Sequence, residues 1–484
     1  MRTSSLLARA AAGCLATVML LQTVRAAATP LYKRYVTERD QVTYHVVENE
    51  ARGAKLEFVH NSGICETTPG VNSYSGYLSV GENMNMFFWF FEARHNADQA
   101  PLVAWFNGGP GASSMQGLFK SHGPCQFYNG DQEPSLNPHS YNEFANIIYI
   151  DQPIGTGFSY GSGCCNSTET AAVYVWEFLQ VFYATFSEFT GREFGIFAQS
   201  YGGRYAPVFA DYILTQNAAI TQGALSTAAA TPINLVALGL NDGIFDPAIW
   251  YRSWIDYSAV NRYRPLANAS LVSELTAYYD TECKPRLDAC YATGFVADCA
   301  GAMNPCQAIS TKVTTANAVE PFSRNDIRQA VDGIFPPETY AAYLYREDVQ
   351  RAIGARKNYT LRAIDVLLNV TGSGDFSRRS STYIPGLLDA GVKVIIYTGD
   401  ADWTCNWISN KREAESIVWP GQAEFTAKEL APYTVDGVEK GLIKTVENLS
   451  YMKVYESGHD LAYFQPELAL QVMRQLFGGS FVST

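Results

Sequence analysis

Apolar and aromatic runs bounded by turn residues recur along the chain, at Met86–Phe91, Leu102–Phe106 and Ile147–Ile150, each with the length of a buried strand. They read as neighbouring strands of one sheet. Thr168–Phe189 carries helical length and spacing, Glu193–Ala198 is strand-like again, and Arg204–Leu214 returns to a helix. This β, α, β, α order predicts an α/β architecture. The Ala- and Thr-rich stretch Asn217–Thr231 reads as a loop. Beyond it Ile233–Leu240 and Val392–Thr398 supply two further strands, Met452–Tyr455 a last one, and Pro466–Phe477 a closing helix. From about Pro247 to Pro385 the pattern holds irregular helical pieces without comparable strands, and this segment is read as an insertion or cap over the sheet. The expected organisation is a leader over 1–28, a first core part over 29–246, the cap over 247–385 and a second core part over 386–484.

The chain has 484 residues, 47% hydrophobic and 17% charged, so apolar mass for a core is ample and a charged, disordered chain is excluded. Lys and Arg total 35 against 47 Asp and Glu, and a net charge of -12 repels nucleic acid and anionic membrane surfaces. Residues 1–28 combine Arg2 and Arg9, the apolar run Leu15–Leu21 and small residues at Ala26, Ala27 and Ala28, the make-up of a secretory signal. That run is too short to span a membrane, and no later segment is long and apolar enough. Five Asn-x-Ser/Thr sequons, at Asn166, Asn268, Asn358, Asn369 and Asn448, are glycosylation acceptors that agree with this route. The expected destination is extracellular, with a vacuolar or lysosome-like compartment as the alternative, and neither nucleic acid nor membrane is expected as a partner.

Removing Cys14 with the leader leaves nine of the ten cysteines in an oxidising compartment, so at least one is unpaired. Cys283, Cys290, Cys299 and Cys306 are separated by seven, nine and seven positions, which suits two nested bridges, Cys283 to Cys306 and Cys290 to Cys299. Neither these gaps nor their surroundings, which lack His, resemble a zinc site. No metal and no cofactor is expected.

Chemistry concentrates at Phe197-Ala198-Gln199-Ser200-Tyr201-Gly202-Gly203, a strand-to-helix junction. A serine on so tight a turn projects its hydroxyl above the sheet edge, and small residues two before and two after let the backbone turn. Ser200 is the candidate nucleophile, although Ala198 stands where the bare G-x-S-x-G pattern has Gly. A serine hydroxyl needs a general base, and on this kind of turn the partners follow in the order Ser, acid, His. Of the six histidines, His45, His60, His95, His122, His139 and His459, only the last is C-terminal to Ser200. The acid is expected after the preceding strand, where Asp400 and Asp402 both stand. Singly, each aspartate reads more readily as a turn residue. Three candidates in the right order, each directly after a strand, point to a triad. The developing oxyanion needs backbone N–H donors, and Trp105-Phe106-Asn107-Gly108-Gly109-Pro110-Gly111 is a glycine-rich turn that can offer them.

Trp105–Gly111, Asp151-Gln152-Pro153 with Gly157-Phe158-Ser159-Tyr160, Ser200–Pro207, Gly399–Asp402 with Cys405-Asn406-Trp407, and Gly458-His459 together resemble the serine carboxypeptidase family of carboxypeptidase Y type, its secreted fungal members above all. The resemblance implies an α/β-hydrolase fold, a central, mostly parallel sheet flanked by helices with a disulfide-bearing helical cap, and release of C-terminal amino acids from peptides. It implies a triad of Ser200, Asp402 and His459, with Asp402 preferred over Asp400, and oxyanion donors on Gly109 and Tyr201. It also places Cys405 as a free thiol near the substrate, leaving Cys65, Cys125, Cys164 and Cys165 for two bridges in any of three pairings.

Family members bind the terminal carboxylate through an Asn-Gly pair, here Asn107 and Gly108, and two glutamates whose positions are held here by Gln199 and Ser121. Carboxyls beside a substrate carboxylate must share protons, which ties binding to acidic pH. Neutral Gln199 and Ser121 lift that constraint, with Asp460 as another acid close by. The family's Gly-Cys-Ser-Ser is also altered, to Ala112-Ser113-Ser114 after Gly111. Two other readings follow from these departures: an esterase or acyltransferase with altered carboxylate recognition, and an inactive binding protein.

Overall fold

The structure is a computed structural model that describes residues 32–49, 53–127, 131–163, 165–226, 230–330, 335–479 and 482–483. The expected leader over 1–28, with Cys14, and Cys164 lie outside the described residues. Thirteen strands run in one continuous order: β1 (Tyr32–Arg39), β2 (Val42–Asn49), β3 (Ala54–His60), β4 (Ser73–Gly81), β5 (Met84–Phe91), β6 (Leu102–Phe106), β7 (Asn146–Ile150), β8 (Phe194–Ser200), β9 (Leu235–Gly243), β10 (Lys393–Gly399), β11 (Ala431–Val435), β12 (Val438–Val446) and β13 (Leu449–Val454). In space they lie β1-β2-β3-β4-β5-β7-β6-β8-β9-β10-β13-β12-β11.

The centre, from β7 to β13, is parallel throughout, whereas β1 to β5 and β11 to β12 join it antiparallel. The apolar runs of the sequence are the central strands, and both of their faces are covered. In β5, Met86, Phe88 and Phe90 face one core, while Phe87, Trp89 and Phe91 face the other. Leu102, Ala104 and Phe106 of β6 share the first core, and Val103 and Trp105 the second. A strand buried on both faces loses the alternation of apolar and polar residues and reads as an unbroken run. The outer strands interrupt their apolar residues with polar ones, as β12 does at Glu439-Lys440 and Lys444-Thr445, and so were not among the expected elements.

Helix α1 (Thr168–Thr185) starts where the Ser167 hydroxyl accepts from the Thr170 N–H, and a single 3-10 turn, Ser187–Phe189, follows it. Helix α2 runs Gly202–Thr221, so Asn217–Thr221 is helical, contrary to the loop expected over Asn217–Thr231. Alanines at 218 and 219 favour the helix, and the Asn217 amide bridges both backbone groups of Ile233, which ties the helix end to the entry of β9. Pro207 inside α2 has no N–H for the Gly203 carbonyl, and the Ser380 hydroxyl takes that carbonyl at 2.7 Å.

Among the described residues, 247–385 contains helices and loops but no strand of the sheet. Its first helix, Pro247–Val260, is capped by Asp246 and holds the loop after β10. The indole N–H groups of Trp250 and Trp254 donate to the Thr404 carbonyl at 2.6 and 2.8 Å, and the Tyr257 hydroxyl donates to the Asp400 carbonyl at 2.7 Å. Cys283 bridges to Cys306 and Cys290 to Cys299, while Cys65 bridges to Cys125 in the core. Cys165 is disulfide-bonded, and Cys405 is a buried free thiol.

Glu413 is fully buried, with its carboxylate taking the Asp246 N–H at 2.9 Å and the Asn410 amide at 3.0 Å. Burial outweighs these donors and pushes its pKa up to about 8. A carboxyl raised in the folded state keeps a proton that the unfolded chain has released, so its contribution is present below 4.5 and lost as pH rises to 8. Buried His122, lowered to about 3, acts in the opposite sense below 6.5, so the two oppose each other there and Glu413 acts without it above. The thermal midpoint should therefore fall between pH 6.5 and 8, and Glu413→Gln should flatten that slope whatever it does to the midpoint itself. Midpoints that rise across this range in the wild type would contradict the assignment.

Candidate active site

Ser200 ends β8 with φ +63°, a left-handed conformation that a non-glycine residue rarely takes. The residues around it explain how the turn is tolerated. A Cβ on Gly202 would meet the Ala198 Cβ at 2.7 Å and the Phe106 carbonyl at 3.1 Å, so the side with a methyl is 198 and the side without is 202. Ala198 in place of Gly is thus compatible with the turn. On the other flank, a Cβ on Gly108 would collide with the Tyr201 N–H, which keeps the glycine-rich turn and the start of α2 in close approach.

The glycine-rich turn is pinned from behind by Asp151. Its carboxylate accepts from the Ser113 hydroxyl at 2.7 Å, the Ser114 N–H at 2.9 Å and the Phe158 N–H at 2.9 Å. Burial lifts the Asp151 pKa to about 6 against these donors. Ser113, one of the departures from the family pattern, is therefore a working contact. Gly109, with φ +104°, precedes Pro110 in the same turn.

His459 sits in the loop after β13, with Nδ1 2.6 Å from Asp402 Oδ2. Burial pulls the imidazole pKa down, and the Asp402 carboxylate overcomes it, leaving the group above 6.5. Asp400 is engaged elsewhere, accepting from the Tyr263 hydroxyl at 2.5 Å and pairing with Arg262 at 3.1 Å. One loop that sequence reasoning did not single out clips acid and base together. The Asn325 carbonyl accepts from the His459 N–H at 2.8 Å, and the Arg324 carbonyl from the Trp403 and Thr404 N–H groups at 3.1 and 3.0 Å.

Cys405 meets the Ser200 side chain, and burial pushes its thiol pKa well up. Among the described residues, Asp402, Cys405 and His459 form the one group of such side chains able to hold a metal ion, with ligand atoms within 4.8 Å of one another. Asp402 and His459 are committed to each other.

A chain of buried amides leads away from the serine. Asn107 Nδ2 donates to Gln199 Oε1 at 2.8 Å, and Gln199 Nε2 donates to the His459 carbonyl at 2.7 Å and to Asp460 Oδ1 at 3.3 Å. Asn107 is itself oriented by the Trp105 indole at 2.6 Å and the Gly117 N–H at 3.0 Å. This chain of amides ends on a charged group, the Asp460 carboxylate. Ser121 lies in a π-helical turn, Gly117–His122, and its carbonyl accepts from Gln126. Its neighbour Lys120 reaches in instead, with Nζ 2.9 Å from Asp460 Oδ2 and both side chains buried. A lysine directly after Gly117-Leu118-Phe119 in an otherwise apolar run was the available signal.

The serine carboxypeptidase family model matches residues 63–479 of the chain. The chain belongs to the serine carboxypeptidase family. It is 49% identical to carboxypeptidase S1 of Penicillium janthinellum over 87% of this chain and 98% of that protein. Carboxypeptidase Y of Schizosaccharomyces pombe is 35% identical over 85% of this chain and 41% of that protein. The fold is also that of Kex1Δp, a prohormone-processing carboxypeptidase from Saccharomyces cerevisiae, with a TM-score of 0.70 at 20% identity over 83% of this chain and 90% of that one. The fold is that of the α/β-hydrolases, and the chain is a serine-type carboxypeptidase.

The elbow geometry makes a sharp prediction about this carboxypeptidase. Gly202→Ala should lower kcat by at least about 100-fold, because the added methyl displaces the turn that carries Ser200. Ala198→Gly in the same chain removes the 2.7 Å contact and should recover most of the loss. Equal activity of the single and double variants, measured on one ester substrate, would show that the contact does not set the turn.

Proposed function

We propose that this chain removes C-terminal residues from peptides through an acyl-enzyme formed on Ser200, with His459 as base and Asp402 as its orienting acid. The observation that carries the assignment is the 2.6 Å contact between His459 Nδ1 and Asp402, in loops that follow β13 and β10 at the sheet edge where β8 delivers Ser200. Asp402 holds the imidazole with Nε2 free to take the serine proton. The Ser200 oxygen then bonds to the scissile carbonyl carbon, and the oxyanion is met by the Gly109 and Tyr201 N–H groups, the latter at the start of α2, where the helix dipole favours negative charge. His459 passes the proton to the departing amine, which leaves with the C-terminal residue. Water repeats the sequence, and the peptide acid is released.

Passage through the secretory pathway belongs to the same proposal, towards the extracellular space or a vacuolar compartment. It is supported by the disulfides and by the side-chain exposure of Asn166, Asn268, Asn358 and Asn369 among the sequons; Asn448 is half-buried. Among the described residues no helix is long and apolar enough to cross a membrane.

With an N-blocked dipeptide as substrate, Ser200→Ala and His459→Ala should each lower kcat by about 10⁵- to 10⁶-fold and Asp402→Asn by about 10⁴-fold, since triad members act as a unit. Asp400→Asn should cost less than about tenfold, because that carboxylate serves Arg262 and Tyr263. The reverse ranking of the two aspartates would overturn the choice of acid, and faster turnover of the dipeptide amide than of the free acid would overturn the carboxypeptidase assignment in favour of an esterase or acyltransferase.

A further inference from the structure

The geometry points to Lys120 as the cation that takes the C-terminal carboxylate of the peptide. This rests on the carboxypeptidase reading and adds a specificity-determining residue to it. Lys120 is buried, and an ammonium carries three N–H donors. Among the described residues Asp460 is its one ion-pair partner, at 2.9 Å. A buried ammonium with donors unspent is unfavourable unless a further acceptor arrives.

The place is the one where that acceptor would come. Asp460 follows the base His459 directly and accepts from Gln199, which precedes Ser200 directly. Lys120 is thus two contacts from the residue beside the nucleophile. On its other side Lys120 lines a cavity of about 230 Å³ with Phe119, Phe127, Phe335, Tyr340 and Tyr463. That is room for one apolar or aromatic side chain. A peptide whose last residue fills this cavity would present its carboxylate between Lys120 and the amides of Asn107 and Gln199. The ammonium then lies between two carboxylates, Asp460 and the substrate's, and no proton need be shared among acids. The substrate class is therefore peptides ending in a bulky apolar residue with a free carboxylate.

The test compares an N-blocked dipeptide ending in Phe or Leu with its C-terminal amide on wild type, Lys120→Met, Lys120→Arg and the double variant Lys120→Met/Asp460→Asn. The double variant leaves no orphan charge, which keeps the result readable if the single one folds poorly. Loss of Lys120 should raise KM for the free acid by at least about tenfold with kcat within about threefold, and leave KM for the amide within about twofold. The preference for free acid over amide then collapses, in the double variant as well, while Lys120→Arg retains most of it. Equal changes for acid and amide would show that Lys120 only supports the fold around Asp460, and an unchanged KM for the acid would remove it from recognition. Either result leaves the carboxypeptidase reading intact if the wild type still prefers the free acid. A wild type that prefers the amide fails that reading itself.

Discussion

Ser200 is held in a backbone conformation it would not choose, at φ +63°, and the surrounding architecture is what keeps it there. A left-handed residue of this kind costs on the order of 1–3 kcal/mol and persists only where its neighbours over-determine it. Here they do so from three directions. β8 is paired on both edges, to β6 and β9, so the residues up to Gln199 cannot shift. α2 starts immediately after Tyr201 and is anchored by buried Arg204, whose guanidinium pairs with Asp375 at 3.0 Å while the Tyr201 hydroxyl donates to the same carboxylate at 2.5 Å. The glycine-rich turn closes the third side through Gly108. The strain is carried by a sheet and a helix, not by a loop, and that is why the hydroxyl has a defined position.

The same logic governs the acid and the base, which belong to loops and need more help. The helix Pro247–Val260 fixes the acid loop through two tryptophans and a tyrosine, and the loop around Arg324 and Asn325 binds the acid and base loops to each other. Both supports come from the segment 247–385. That segment contributes no triad residue, and outside it the acid loop is held by the Val454 and Ser457 carbonyls, which accept from the Asp400 and Ala401 N–H groups at 2.9 and 2.8 Å.

These differences in support explain what could be read from sequence. The central strands were legible because burial on both faces writes an unbroken apolar run, and the candidate base could be picked out because the order Ser, acid, His needs a histidine C-terminal to the serine and only His459 qualifies. The flanking strands were not. β1 leaves five of its eight residues exposed, so its apolar signal is diluted, and β12 of the β11–β12 hairpin breaks its apolar run with the polar pairs Glu439-Lys440 and Lys444-Thr445. A local signal did exist there: Asp436-Gly437, both at positive φ, is the two-residue turn that a tight antiparallel hairpin demands. Lys120 offered only its charge after Gly117-Leu118-Phe119 as a local signal, and its partner could not be read. Its role depends on Asp460, 340 positions later by the two residue numbers, and no local pattern joins them.

Replacing acids by a fixed cation changes what recognition demands of the base. In a site with two carboxyls next to the serine, binding and proton transfer compete for the same acidic range, since the carboxyls must be protonated while the histidine must not. Here Asp460 raises the His459 pKa and Lys120 lowers it, so the ion pair presents the base with opposed influences. Breaking either half would leave a buried charge without its counter-ion beside the imidazole, which is the strongly unfavourable way to disturb such a pair. An ammonium that also holds the substrate carboxylate keeps a positive charge between that anion and the base. The base is then governed chiefly by Asp402 whether or not a peptide is bound, and substrate recognition and catalysis no longer draw on the same protons.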